Sequence, residues 1–263
     1  RLNTAVQEIT VESGRATGVR LADGSRLAAD LVVSNADAPW TYKNLIKPEH
    51  RRTWTDKKVD GARYSMSLFV WYFGTNRKYE DVAHHTILLG PRYRELLDDI
   101  FTKKVLAEDF SLYLHRPTAT DPSLAPEGCD GFYVLSPVPH LDGSTDWTVQ
   151  RKEYRDRICR FLSQTVMPGL EEAVVSEHIL DPIGFRDELS SEKGAAFSLE
   201  PVLTQSAYFR PHNKSQDVEG LFLVGSGTHP GAGMPGVLSS AKVLEHLIPA
   251  ASEFKVQAEA RRA

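Results

Sequence analysis

The stretch that most restricts this chain is LFLVGSGTHPGAGMPG, residues Leu221–Gly236. Four apolar residues read as a short strand. Glycines at 225, 227, 231, 233 and 236 then leave much of the backbone without Cβ atoms. Val237–Leu247 follows with a helical pattern, opened by Pro235, whose missing N–H costs nothing at a helix start. Gly231–Gly236 (GAGMPG) also fits G-x-G-x-x-G, the pattern of a dinucleotide loop. That fingerprint needs a strand immediately before it, and a βαβ unit with an acidic residue about 20 positions on. Here the strand ends at Val224, His229-Pro230 intervenes, and only Val237–Ala263 follows. The pattern matches and its context does not. Two readings stay open: a tight strand-to-helix connection without a ligand, or a loop whose bare backbone and helix N-terminus meet an electron-rich group.

The chain as a whole has the composition of ordinary globular protein, with 41% hydrophobic and 25% charged residues among 263. The net charge of −4 argues against nucleic acid as a partner. Cys129 and Cys159 are far apart, which favours a reduced, intracellular setting and no structural metal. No apolar run approaches the length of a spanning helix. Thr4–Val11 and Ala16–Leu21 read as strands, Asp23-Gly24 as a two-residue hairpin turn, and Asp30–Asn35 as a buried strand of a parallel sheet. Trp40–Lys58 reads as helical. Strands are expected at Ser67–Phe73, Thr86–Leu89, Phe110–Leu114, Phe132–Val138 and Val174–Ile179. Helices are expected at Arg92–Phe101 and Val149–Val166. Gly184–Asn213 reads as a loop region, and the last ten residues as a frayed helix.

Leu221–Lys242 (LFLVGSGTHPGAGMPGVLSSAK) resembles the C-terminal flavin motif of the bacterial phytoene desaturases, within the flavin amine oxidase-like superfamily. Glu108–Leu141, Glu200–Asn213 and Ala83–Phe101 look like further signatures of the same family, and Asp30–Asn35 is similar to its central FAD-domain segment. The family's main ADP-binding unit, with its own glycine fingerprint, has no counterpart here, so the chain resembles the C-terminal half of such an enzyme. The resemblance implies an α/β fold with α+β character. Residues 1–60 and 191–263 would be parts of a Rossmann-like FAD-binding domain, and residues 61–190 an inserted substrate domain with a mixed sheet and helices. It implies FAD as cofactor and phytoene, desaturated toward lycopene, as substrate. Oxygen or a quinone would accept the electrons, at a membrane surface on the cytoplasmic side. Related readings are a carotenoid isomerase, another FAD-dependent oxidase of an apolar substrate, and a noncatalytic prenyl- or lipid-binding protein on the same fold.

The resemblance also assigns residues. Gly225, Ser226 and Gly227 are expected near the pyrophosphate or ribityl chain. Met234, Pro235, Gly236 and Val237 are expected beside the isoalloxazine, with the Val237 N–H aimed at its pyrimidine side. Val6 is expected to contact adenine through its backbone, or else to be a core valine. His229 sits inside the loop, and Arg210 is expected to hold that loop through an ion pair or carbonyl contacts. Phe69 and Trp71, in the doubly apolar SLFVWYF, are candidates for an apolar substrate tunnel or for the core. His84 and His85 are candidates for the tunnel or proton handling. As neighbours in a strand they would point to opposite faces, so no metal is expected there.

Overall fold

The computed structural model describes residues 1–249. The last ten residues, expected as a frayed helix, lie outside the described residues. In chain order the strands are β1 Val6–Glu12, β2 Arg15–Leu21, β3 Arg26–Ala28, β4 Val32–Ser34, β5 Ser67–Thr75, β6 His85–Leu88, β7 Leu112–His115, β8 Asp130–Val138, β9 Val174–Leu180 and β10 Leu221–Leu223. The α-helices are α1 Ala38–Trp40, α2 Asp56–Asp60, α3 Tyr93–Asp98, α4 Trp147–Thr165, α5 Leu170–Ala173, α6 Pro182–Asp187 and α7 Met234–Leu247. The chain divides into two compact units: Arg1–Tyr64 with the chain from Phe197 onward, and Ser65–Ala196.

In the first unit, β1, β2 and β3 form an antiparallel ribbon. The two-residue turn lies at Ser13-Gly14, both with positive φ, which matches the twist of the flanking strands. Asp23-Gly24 belongs instead to a longer connection. Leu21 donates its N–H to the Ser25 carbonyl, and the Asp23 carboxylate accepts the Ser25 N–H at 2.9 Å. β4 runs parallel to β10, with Val32 opposite Leu221 and Ser34 opposite Leu223. β10 is fully buried, as its unbroken apolar run requires.

The helical region expected over Trp40–Lys58, with a second part starting at Pro48, is interrupted before that proline. α1 runs into a wide turn over Thr41–Leu45, and Ile46 and Lys47 are extended. Pro48 is the cause, since its ring excludes helical backbone at the residue before it. A single 3-10 turn starts at Pro48, over Pro48–His50, and α2 follows, capped by the Thr55 side chain.

The second unit is built on one five-stranded sheet in the order β6-β7-β8-β5-β9. Every ladder in it is antiparallel, whereas the resemblance led to a mixed sheet. α4 covers one face. Its N-terminus is capped by Asp146, which accepts the Thr148 N–H at 2.9 Å. Tyr154, Ile158 and Leu162, at spacings of four, meet Phe69, Trp71 and Val134 in one core. Each such buried side chain contributes roughly 1.5–3 kcal/mol. A buried ion pair holds the segment before β6 against β8. Arg116 lies 3.0 Å from Asp130, which also accepts from Thr118 Oγ1 at 2.7 Å and the Tyr79 N–H at 2.8 Å. Among the described residues, the other face of the sheet is covered at one end, where Phe185 of α6 packs on Leu68 and Val70. Residues 184–187, expected as loop, belong to α6, which Asp181 caps by accepting the Gly184 N–H at 2.9 Å.

Candidate functional site

The glycine loop of the first unit connects β10 to α7 and is fixed by buried polar contacts. Asn213 Nδ2 donates to the Leu223 and Ser240 carbonyls and to Thr228 Oγ1, at 3.2–3.3 Å. Ser240, the buried residue of α7, accepts the Gly225 N–H at 2.8 Å. Thr228, also buried, donates to the Gly225 carbonyl at 3.1 Å. Strand end, loop and helix are thereby tied together at Ser240, nearly two turns into the helix.

Arg210 is the central tether. It is 2% exposed, and its guanidinium donates to four carbonyls. Ser226 O receives Nε at 2.9 Å and Nη2 at 2.7 Å. Leu199 O lies at 3.1 Å, Phe197 O at 3.1 Å and Gln205 O at 3.3 Å. Of the two roles open from sequence, carbonyl clamping is the one observed. Burial pulls the Arg210 guanidinium below its ordinary value, and the charge of Asp37 opposes that.

The glycines divide into two kinds. A Cβ at Gly227 would lie 2.7 Å from Asp37 Oδ1 and 2.8 Å from the Ala38 nitrogen. A Cβ at Gly236 would lie 2.6 Å from the Gly231 carbonyl oxygen. At these positions glycine is demanded by the loop's own packing. Gly233 differs: its φ is +94°, and nothing lies within 4 Å of where a Cβ would be. Bare, open backbone therefore sits at the residue that precedes α7.

Gly233 is the N-cap of α7 and offers no side-chain cap. The Val237 N–H is engaged, donating to the Gly233 carbonyl at 2.8 Å to close the first helical turn. The expectation that this group points at a ligand is corrected: in an α-helix the first free donor positions precede that bond. Pro235 has no N–H, which leaves Met234 and Gly236 as the donors of the first turn. Met234 and Leu238 are exposed. His229 lies in the loop with its N–H donated to Pro211 O and its Nδ1 2.9 Å from Ala207 O. Its ring lines an open cavity of about 380 Å³ with Tyr208, His212, Lys214, Val243 and Leu247. Val6 opens the edge strand β1 and is 36% exposed, so it is not the core valine of the alternative reading.

In the second unit, Phe69 and Trp71 are fully buried against α4. Phe69 stacks on Trp147 at 5.8 Å and meets the edge of Tyr154 at 5.0 Å. They are core, and their place on a substrate surface is withdrawn. Strand alternation puts Tyr72 on the other face. There a row of rings crosses all five strands: His85, His115, Tyr133, Tyr72 and His178. Successive centroids are 5.1, 4.7, 5.7 and 6.0 Å apart. Periodicity within each segment hides this row, because cross-strand register creates it.

The argument that His84 and His85 cannot share a ligand is also corrected. β6 begins at His85, and His84 lies in a bend before it, so strand alternation does not separate the two rings. They stack at 4.3 Å, and His84 Nε2 is 2.8 Å from His115 Nε2. Burial, then the neighbouring His84 and His85, hold the His115 imidazole below its ordinary pKa. His115 was not singled out from sequence. The antiparallel pairing of His85 with His115 is what brings it in.

Comparison with known proteins places this geometry in a family. The family model described as "Flavin containing amine oxidoreductase" matches residues 1–243. A phytoene desaturase (neurosporene-forming) of Rhodobacter capsulatus is 52% identical over 99% of this chain and 51% of its own length. A phytoene desaturase (lycopene-forming) of Pantoea ananas is 50% identical over 94% of this chain and 50% of its own. The chain thus spans about half the length of the curated relatives it matches. Among solved structures, an oxidoreductase from Methanosarcina mazei superposes with a TM-score of 0.58 at 21% identity, over 92% of this chain and 49% of that one. Putrescine oxidase bound to putrescine gives 0.55 at 13% identity, over 92% and 49%. These two likenesses concern the fold, a mixed helix-and-sheet architecture. With the model match covering almost the whole described chain, the chain belongs to the flavin containing amine oxidoreductase family.

Proposed function

We propose that the protein carrying this chain is an FAD-dependent desaturase of phytoene, acting in carotenoid biosynthesis. The observation that carries the reading is the open Gly233 backbone feeding the uncapped N-terminus of α7, on a chain half identical to proteins named phytoene desaturase. The loop fits the cofactor. Gly233 leaves room for close approach, and the Met234 and Gly236 N–H groups, with the positive end of a 14-residue helix, suit an electron-rich ring edge. When bound, FAD supplies the two-electron acceptor for the hydrogens removed from the polyene.

This chain's residues have the positioning role. Met234 and Gly236 would hold the pyrimidine side of the flavin. Gly225 and Ser226 would lie along its ribityl-pyrophosphate arm, with Arg210 fixing the Ser226 carbonyl. Val6, on its edge strand, would present backbone to adenine. Tyr72 and Tyr133, on the half-covered sheet face, replace Phe69 and Trp71 as our assignment for polyene contact in the second unit. They line an open cavity of about 490 Å³, and flat rings suit a conjugated hydrocarbon.

We further propose peripheral association with a membrane from the cytoplasmic side, since phytoene resides in the bilayer, with oxygen or a quinone taking the electrons. The support in the first unit is the short segment 203–209, where Leu203, Tyr208 and Phe209 are all exposed. No helix among the described residues is long and apolar enough to cross a membrane. The test is to incubate the full-length protein, loaded with FAD, with phytoene in liposomes and to identify the products. Coloured polyenes with lengthened conjugation are expected. Unchanged phytoene beside an FAD-replete, folded protein would refute the activity.

A further inference from the structure

We propose that His84, His85 and His115 form a binding site for one divalent first-row metal ion of the zinc class, at the β6–β7 edge of the second unit's sheet. One ring nitrogen from each of the three lies within 4.8 Å of the others. Zinc–imidazole bonds of about 2.0–2.1 Å put tetrahedral ligand nitrogens about 3.3 Å apart. Small ring rotations would bring the three nitrogens to that spacing.

The surrounding hydrogen bonds select the right atoms. His85 Nδ1 lies 2.6 Å from Tyr113 Oη. His84 Nδ1 is hydrogen-bonded to Thr120 Oγ1. With both Nδ1 atoms protonated and donating to these hydroxyls, the Nε2 lone pairs of His84 and His85 are left free for a ligand, and that of His84 faces His115. A metal-bound imidazole is commonly oriented through its second nitrogen in this way.

The same arrangement is awkward without an ion. His84 Nε2 and His115 Nε2 are 2.8 Å apart, so one of them must carry a proton for the other to accept. An ion between the rings removes the need for that shared proton and takes both Nε2 lone pairs. Among the described residues, no Asp, Glu or Cys joins these three in the cluster. An all-imidazole set suits zinc, copper or nickel over magnesium or calcium. Three protein ligands leave a fourth position for solvent.

The experiment uses untagged, metal-stripped full-length protein with FAD bound. Zinc is titrated by calorimetry, and cobalt binding is followed by its visible absorption as a report on coordination geometry. One ion per chain and tetrahedral-type cobalt bands are expected. His115→Gln and His85→Gln should each weaken binding at least tenfold. His85 is exposed on an edge strand, so its variant should stay folded even if His115→Gln does not. Tyr113→Phe, which keeps the ring and removes only the hydroxyl, should weaken binding about 10- to 100-fold. Absence of stoichiometric binding, or binding that survives His85→Gln unchanged, overturns the site.

Discussion

Arg210→Met should unfasten the glycine loop while keeping most of the buried side-chain volume. The wild-type guanidinium makes five contacts to four carbonyls, of Ser226, Leu199, Phe197 and Gln205, and it is 2% exposed. Hydrogen bonds from a charged donor contribute about 1.5–3 kcal/mol each, so four carbonyls set a gross figure of roughly 6–12 kcal/mol. Burying the guanidinium costs several kcal/mol of that. Methionine carries no burial cost of this kind, but it leaves four inward-facing carbonyls without a donor. The expected net loss is about 3–5 kcal/mol. Arg210→Lys should fall between the two, because a compact ammonium cannot span the fork from Ser226 to Phe197. Denaturant unfolding of the full-length protein, followed by circular dichroism, measures the loss. Flavin content after gel filtration reads whether the Ser226 segment has moved. A loss under about 1 kcal/mol for the Met variant, or a Lys variant matching wild type in both readouts, would refute the clamp.

Two further perturbations probe the second unit. Asp130→Asn removes the charge opposite Arg116, and the buried guanidinium is then uncompensated; a loss of about 3–5 kcal/mol is expected in the same unfolding assay. An unchanged midpoint would mean that the pair adds nothing. His140 is buried with its pKa depressed to about 4, chiefly by burial, reinforced by Lys104 and Lys193 and opposed by Asp142. Its folded pKa lies below its unfolded value, so its contribution is complete above pH about 6.5 and is lost as pH falls toward 4. That contribution is about 3 kcal/mol. His140→Asn retains an acceptor for the Asp142 N–H, which His140 Nδ1 now receives at 3.3 Å, and should flatten the decline between pH 6.5 and 4. Equal slopes in wild type and variant would show that His140 does not titrate in this window.

Much of this was legible in the chain. Local signals carry what is local. The apolar runs 68–73 and 132–138 became β5 and β8. The four-residue repeat of Tyr154, Ile158 and Leu162 became the buried stripe of α4. The glycine stretch could only be a loop, and its motif carried the family resemblance that the comparisons bear out. The failures share a cause. Whether a side chain lies on the covered or the open face of a sheet depends on what packs there, so SLFVWYF could not reveal that Phe69 and Trp71 belong to the core and Tyr72 does not.

The sequence by itself therefore determined most of the strands, the long helix α4, the loop and the family. The tertiary structure alone decided which atoms of those parts remain available. Closing the first turn of α7 consumed the Val237 N–H and left those of Met234 and Gly236. Packing on Asp37 and on the Gly231 carbonyl made Gly227 and Gly236 structural, while Gly233 stayed open. Pairing β6 with β7 brought His115 to His84 and His85 across a sequence separation of about 30 residues. Hydrogen bonding and register are properties of chain segments brought together, and no pattern within one segment contains them.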